Sequence, residues 1–253
     1  MDLFDLRGKV AIVTGGNGGI GFGIARGLAQ AGADIAIVGR NAEKTSQAVE
    51  TLRKEHKVRA IALDVDVTSE EDAARMAKST QWELGRIDIL VNNAGINIRK
   101  PPQDLALEVW HKVIDANLTS VLICSKAVQP TMGSAGGGKI INIGSMTSIF
   151  GVSFAPAYAA SKGGVVQLTK SLAIAWAPNK IQVNCILPGW IETDLTNRAR
   201  QEVPGLYERV LARTPQCRSV TAQPPAFVDP PEGPWQRPSG CSSRTGSSPQ
   251  AFS

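Results

Sequence analysis

A three-layer α/β fold, in which helices cover both faces of a doubly wound parallel sheet, is what this 253-residue chain predicts. Six short apolar runs, at 10–14, 35–38, 58–63, 87–91, 139–143 and 181–186, alternate with helical patterns at about 19–31, 42–56, 69–84, 105–132 and 154–177. Runs of this kind without polar alternation read as strands buried on both faces. That is the condition of a parallel sheet under helices, and right-handed crossovers then give the double winding. In such a fold a ligand is expected at the carboxyl ends of the strands.

The first strand, Val10-Ala11-Ile12-Val13, runs into Thr14-Gly15-Gly16-Asn17-Gly18-Gly19-Ile20-Gly21, and an amphipathic stretch from Ile20 to Ala31 follows. Strand, glycine turn and helix together form a dinucleotide-binding context. Glycines let the backbone turn tightly and approach a pyrophosphate, whose charge is met by amide groups and the helix N-terminus. The sheet is therefore expected to be Rossmann-like. Farther along, Tyr158 and Lys162 stand four residues apart, and Ser145 lies thirteen residues before the tyrosine. On a helix the pair shares one face, so the ammonium sits near the phenol and favours phenolate. A phenol titrating near ~10 needs such help to exchange protons at neutral pH. By itself the pair is commonplace on solvated helix faces.

Thr14-Gly15-x-x-x-Gly19-Ile20-Gly21, Asn92-Asn93-Ala94-Gly95, Asn117, Ser145, Tyr158-x-x-x-Lys162 and Pro188-Gly189-x-x-x-Thr193 together resemble the short-chain dehydrogenase/reductase family in order and spacing. The likeness runs from about Leu6 to about Pro215. It implies an NAD(P)-dependent oxidoreductase that moves a hydride between nicotinamide and a carbinol or carbonyl carbon. Under that resemblance Tyr158 exchanges the proton on oxygen and Ser145 orients the oxygen. Lys162 lowers the tyrosine pKa and holds the nicotinamide ribose, and Asn117 distorts its helix and holds a relay water. Spacing alone would place Asn117 on the surface of a long helix. Gly15, Asn17, Gly19, Ile20 and Gly21 are implied to hold the pyrophosphate. Asp66 would accept from the adenine amino group with Val67 beside it at the cofactor, Asn92 and Asn93 would support the sheet and line the adenine ribose, and Ala94 and Gly95 would let the backbone pass the cofactor. Pro188, Gly189, Ile191 and Thr193 would border the nicotinamide. Asp66, or Asp64 on the same strand face, could instead cap the next helix, for which Thr68 or Ser69 is itself a good start; the adenine role is favoured for Asp66.

The end of the second strand, Val38-Gly39-Arg40-Asn41, selects the cofactor. NAD-selective relatives usually carry an acid at the place of Gly39. Its absence removes repulsion against a 2′-phosphate, and Arg40 offers a charged fork, so NADP is favoured, with NAD possible. Many NADP-using relatives also have a basic residue before the second glycine of the turn, where this chain has Gly18. The stretches 93–101 and 139–148 are similar to those of gluconate 5-dehydrogenases and related sugar-acid reductases. A polyol or sugar acid is the implied substrate, with Ser145 and Tyr158 at its reacting oxygen. Arg99 is a candidate for its carboxylate, and Arg198 and Arg200 are further cations on the following lid. A 3-oxoacyl thioester reductase is the alternative within the same chemistry.

The chain has 43% hydrophobic residues and 27 basic against 22 acidic residues, a net charge of +5. The basic residues form no tract, so nucleic acid is not expected as a partner. Cys124, Cys185, Cys217 and Cys241 have neither metal-ligand nor disulfide spacing, and no metal is implied. No run approaches the ~18 apolar residues of a membrane span, and a cytoplasmic protein is expected. Residues 1–213 are read as one dinucleotide-binding catalytic domain and 214–253 as an atypical tail expected to be disordered. The tail holds eight of the fifteen prolines and shows neither a helical period nor a credible strand. The resemblance implies a further helix and a last strand there, neither of which is legible, as a reading-frame change near Pro215 would explain. An impaired or inactive dinucleotide-binding protein is therefore a second expectation. A homo-oligomer is implied, with a dimer favoured over a tetramer.

Overall fold

The computed structural model describes residues 4–213 and 220–221; the rest of the region 214–253, and with it the expected disorder and the missing helix and strand, lies outside the described residues. Six parallel strands form one sheet in the order β3-β2-β1-β4-β5-β6. They are β1 (Val10–Thr14), β2 (Asp34–Val38), β3 (Ala60–Leu63), β4 (Ile89–Asn92), β5 (Gly138–Ile143) and β6 (Ile181–Ile186). The order reverses between β1 and β4, and that switch point is where a crevice opens above the strand ends.

Alternation along each strand splits the core in two. Val10 and Ile12 of β1, with Ala36 and Val38 of β2, pack against Met76 and Leu84 of α3 (Glu70–Leu84), Val128 and Met132 of α5 (Ser120–Ser134) and Leu172 of α6 (Pro156–Trp176). Ala11, Val13, Ile35 and Ile37 face the other way, onto Ala25 and Ala29 of α1 (Gly19–Gln30) and Val49 and Leu52 of α2 (Ala42–His56). Both faces of the central strands are buried, as their uninterrupted apolar runs predict.

Three departures from the sequence expectation stand out. The helix expected over 105–132 is α4 (Leu107–Ile114), a π-helical turn over Asp115–Thr119, and α5. In β6, Ile181 and Val183 are buried while Gln182, Asn184 and Ile186 are exposed. This strand is covered on one face only among the described residues, because α1 and α2 lie over β1 and β2 and nothing described reaches across to it. Finally, Val220–Thr221 within the expected structureless tail forms a short strand, β8, parallel to β7 (Ile191–Glu192). Two residues are too few to leave a periodic signal, which is why the sequence did not reveal it. Two helices, α7 (Asp194–Glu202) and α8 (Leu206–Arg213), follow β7 above the crevice.

Candidate active site

The glycine turn is held to the β4 end by one threonine. Thr14 Oγ1 accepts from the backbone N–H of Asn93 (3.0 Å) and Ala94 (3.1 Å) and donates to Val91 O. Asn93 Nδ2 in turn donates to the carbonyls of Thr14 and Gly15, both at 3.1 Å. Gly15 has a φ of +60°, and a Cβ there would lie 3.0 Å from Ala94 Cα. A Cβ on Gly21 would lie 2.3 Å from Gly15 O, so helix α1 packs directly on the turn only because position 21 is glycine. The N-cap of α1, Gly18, offers no side-chain acceptor to the first helical turn. The amides of Gly19, Ile20 and Gly21 are thus available to an anion, and these donors fit the pyrophosphate of a dinucleotide.

At the end of β2, Arg40 is exposed and its charge helps lower the Asp66 pKa. The larger cause is Thr68, whose backbone N–H (3.0 Å) and hydroxyl (2.7 Å) both donate to Asp66 Oδ1. Ser69, not Asp66, caps α3. Val67 is half-buried beside it. Asn17 is turned toward α2, where its Nδ2 donates to Thr45 Oγ1 at 2.9 Å. A Cβ on Gly39 would lie 2.4 Å from that same amide nitrogen. Position 39 therefore excludes any side chain, an acid included, unless Asn17 moves.

The π-helical turn changes the environment of Asn117 completely. It is fully buried. Its Oδ1 accepts from Ile96 N–H (2.7 Å), while its Nδ2 donates to Ile96 O (2.9 Å) and to Ser161 Oγ (3.0 Å). Ser161, which the sequence reading did not single out, donates to Tyr158 O at 2.7 Å and so ties Asn117 to the turn of α6 that carries the tyrosine. Spacing hides this link, since a serine inside a helix more often faces solvent or its own backbone. Asn117 Oδ1 also stands 2.9 Å from where a Cβ on Gly95 would be.

Lys162 is buried, with Nζ donating to Ile143 O at 2.7 Å and lying 5.8 Å from the Tyr158 ring centre. Burial lowers its pKa from 10.5 to about 8. Burial also pushes the Tyr158 phenol up, while a hydrogen bond from Ser145 and the charge of Arg99 pull it down. The sequence expectation assigned the downward pull to Lys162. In this arrangement the groups that pull the phenol down are Ser145 and Arg99, while the Lys162 ammonium lies 5.8 Å from the ring centre. Ser145 itself is fixed at the start of a short turn, with Oγ accepting from Thr147 N–H. Ser148 Oγ donates to Lys162 O at 2.7 Å and anchors that turn to α6.

Arg99 bridges the loop after β4 to the lid. Its guanidinium reaches Glu202 Oε2 (2.6 Å) and Leu195 O (3.1 Å), and its side chain is only 8% exposed. Arg99 Nε, Asn97 Oδ1 and Thr147 Oγ1 are buried without partners among the described residues. Such orphaned polar atoms beside a crevice are groups that a polar ligand can satisfy. Neither Asn97 nor Thr147 was legible as functional in the sequence, because loop asparagines and threonines are unremarkable until burial is known. Arg200 is committed to Glu192 (3.3 Å) and to the Tyr207 ring (4.0 Å), and Arg198 is exposed. Among the residues expected to border the nicotinamide, Pro188 O accepts from Met146 N–H, and Ile191 O accepts from Thr196 Oγ1. Thr193 caps α7 and its Cγ2 stands 3.2 Å from a Cβ placed on Gly19, while Gly189 has open space around it. The crevice thus narrows between the glycine turn and the lid.

A turn of uncapped amides at the switch point, with a tyrosine, a buried lysine and a serine gathered beside it, defines a nucleotide-binding oxidoreductase. The profile of the short chain dehydrogenase family matches residues 9–204, and the chain belongs to that family. It is 38% identical over 219 residues to the 2-dehydro-3-deoxy-D-gluconate 5-dehydrogenase of Formosa agariphila, covering 86% of this chain and 83% of the relative. It is 40% identical over 217 residues to the 5-keto-D-gluconate 5-reductase of Escherichia coli, covering 86% and 85%. A crystal structure of a gluconate 5-dehydrogenase-like protein from Beutenbergia cavernae with bound NADP superposes with a TM-score of 0.79 at 36% identity, covering 87% of each chain.

Proposed function

We propose that this protein interconverts a secondary alcohol and a ketone on a sugar acid, using NADP(H) in preference to NAD(H). The bound nicotinamide would supply or accept the hydride. Tyr158 is the proton donor to the substrate oxygen in reduction and the acceptor in oxidation. Ser145 orients that oxygen and steadies the phenol. Lys162 and Asn117 form the buried side of the relay, with Asn117 fixing the Ile96 loop against α6.

The observation that carries the substrate class is Arg99. Its charge acts on the Tyr158 phenol, its side chain is buried, and it already holds the carboxylate of Glu202. A substrate whose carbonyl meets Tyr158 can present its own carboxylate to the same fork. The sugar-acid names of the relatives support this reading. Preference for NADP is supported by Gly39, where Asn17 excludes the acid that would repel a 2′-phosphate, and by Arg40. Kinetics with 5-keto-D-gluconate and with xylitol, in the wild type and Arg99→Met, test the proposal. The variant is expected to raise KM for the acid at least about tenfold more than KM for the neutral polyol, with any change in kcat through Tyr158 shared by both substrates. Equal effects on both substrates would remove Arg99 from the carboxylate site.

A second reading, a dinucleotide-binding protein with impaired activity, is favoured by the face of β6 that none of the described residues covers. NADPH binding without turnover of any sugar acid would support it. We further propose a homodimer through the outer faces of α4, α5 and α6, where Leu107, Leu122 and Ile174 are exposed; light scattering on the eluted protein reports its mass.

A further inference from the structure

Position 18 has no side chain, yet the space a side chain there would fill is occupied by a cation. Lys44 Nζ lies 3.0 Å, and its Cε 3.1 Å, from the place of a Cβ on Gly18. The approach is built by the fold. Asn41 caps α2 by accepting from Lys44 N–H at 2.9 Å, and the next residue, Thr45, accepts from Asn17 Nδ2 of the glycine turn. The first turn of α2 is thereby stapled onto the turn between β1 and α1. Arg40, at the end of β2, stands on the other side of Asn41 in sequence and faces Asp66 electrostatically. Among the described residues the ammonium of Lys44 has one charged partner, Asp194, at 3.7 Å with both side chains exposed. That pair is long and solvated, and an exposed pair of this kind is worth little. The first turn of α2 thus brings the Lys44 side chain beside the glycine turn, where its ammonium can exchange Asp194 for a stronger anion.

We infer that Lys44 is a specificity residue for the cofactor: with Arg40 it takes the 2′-phosphate of the dinucleotide, supplying from α2 the cation that Gly18 lacks. The inference deepens the proposed use of NADP and rests on it. Two cations, one a point charge and one a planar fork, suit a doubly charged phosphate better than a ribose diol. Because Lys44 pairs with Asp194 at the first turn of the lid helix α7, its transfer to the phosphate also releases that contact across the crevice.

Titration of the full chain with NADPH and with NADH, followed by nicotinamide fluorescence, tests this in the wild type, Lys44→Ala, Arg40→Ala and the exchange variant K44A/G18K. Lys44→Ala is expected to raise the Kd for NADPH about tenfold or more and to leave NADH within about twofold. Gly18 has extended backbone (φ 179°, ψ 169°), and the atoms a Cβ there would meet belong to Lys44 itself. A lysine at 18 is thus accommodated once Lys44 is removed, and K44A/G18K is expected to recover most of the NADPH affinity. If Lys44→Ala leaves NADPH binding intact while Arg40→Ala weakens it, the NADP reading stands and Lys44 has no part in it. An equal loss for NADPH and NADH would make Lys44 a pyrophosphate or packing residue and overturn its role in selection. If the wild type binds NADH as tightly as NADPH, the NADP preference itself fails, and the inference with it.

Discussion

Lys162→Met is expected to abolish turnover and, at neutral pH without dinucleotide, to leave the fold as stable as the wild type or more so. The lysine is buried, and its pKa falls from 10.5 to about 8 through desolvation. At about pH 7 that shift corresponds to roughly 3 kcal/mol of stability forgone by burying the charge. Methionine is close in volume and carries no charge, so packing changes little. Against this stands the hydrogen bond from Lys162 Nζ to Ile143 O, whose loss leaves a buried carbonyl unsatisfied and costs about 1–3 kcal/mol. The net gain is about 0–2 kcal/mol. Its pH dependence is the sharper signature. Between about 8 and 10.5 the folded lysine binds fewer protons than the unfolded one, so wild-type stability climbs with pH through that window. Methionine has no such slope. Urea denaturation of both proteins at about pH 7 and about pH 10 should therefore show the wild type gaining roughly 2 kcal/mol relative to the variant. A stability difference that does not move with pH would mean that Lys162 is not desolvated in the folded state, and the argument from burial would fail.

Three further outcomes are expected. Asn117→Ala removes both partners of the Ile96 backbone and the link to Ser161, which should cost about 2–4 kcal/mol of stability together with activity; a thermal melt unchanged from the wild type would contradict it. Gly95→Ala drives a methyl group to 2.9 Å from Asn117 Oδ1 and should lower kcat/KM at least about tenfold, whereas Gly27→Ala, in open space on α1, should stabilise by about 0.5–1 kcal/mol; loss of activity in both, or in neither, would break the steric reasoning. Burial holds the Tyr158 phenol up and protonated at neutral pH, so alcohol oxidation should accelerate as pH rises into the alkaline range, and Tyr158→Phe should abolish that rise along with activity; a rate that falls with pH would assign the proton to another group.

Much of the site was legible because its signals are local. The glycine turn sits between one strand and one helix, and Tyr158 and Lys162 share one helical face by spacing alone. Asn117 was different. Its periodicity placed it in an ordinary helix, and only the π-helical turn and the contact with Ile96, 21 residues away, bury it. The β6 run departs from the other strands in the sequence itself: Gln182 and Asn184 alternate with Ile181 and Val183, and this period-2 pattern, the mark of a strand covered on one face, is what the structure shows.

Residue types and short-range spacing alone determined that the chain would build a parallel sheet, turn tightly at glycines 15 to 21, and carry a phenol beside an amine. Those properties follow from backbone freedom and helix period, which act over a few residues. Tertiary structure decided what each group can do. Bringing Arg99 to Glu202 across 103 residues, setting Lys44 over Gly18, and taking Lys162 out of water all require the sheet to be assembled first. Charge interaction and desolvation depend on distance and dielectric in space, and neither is written in the order of the residues.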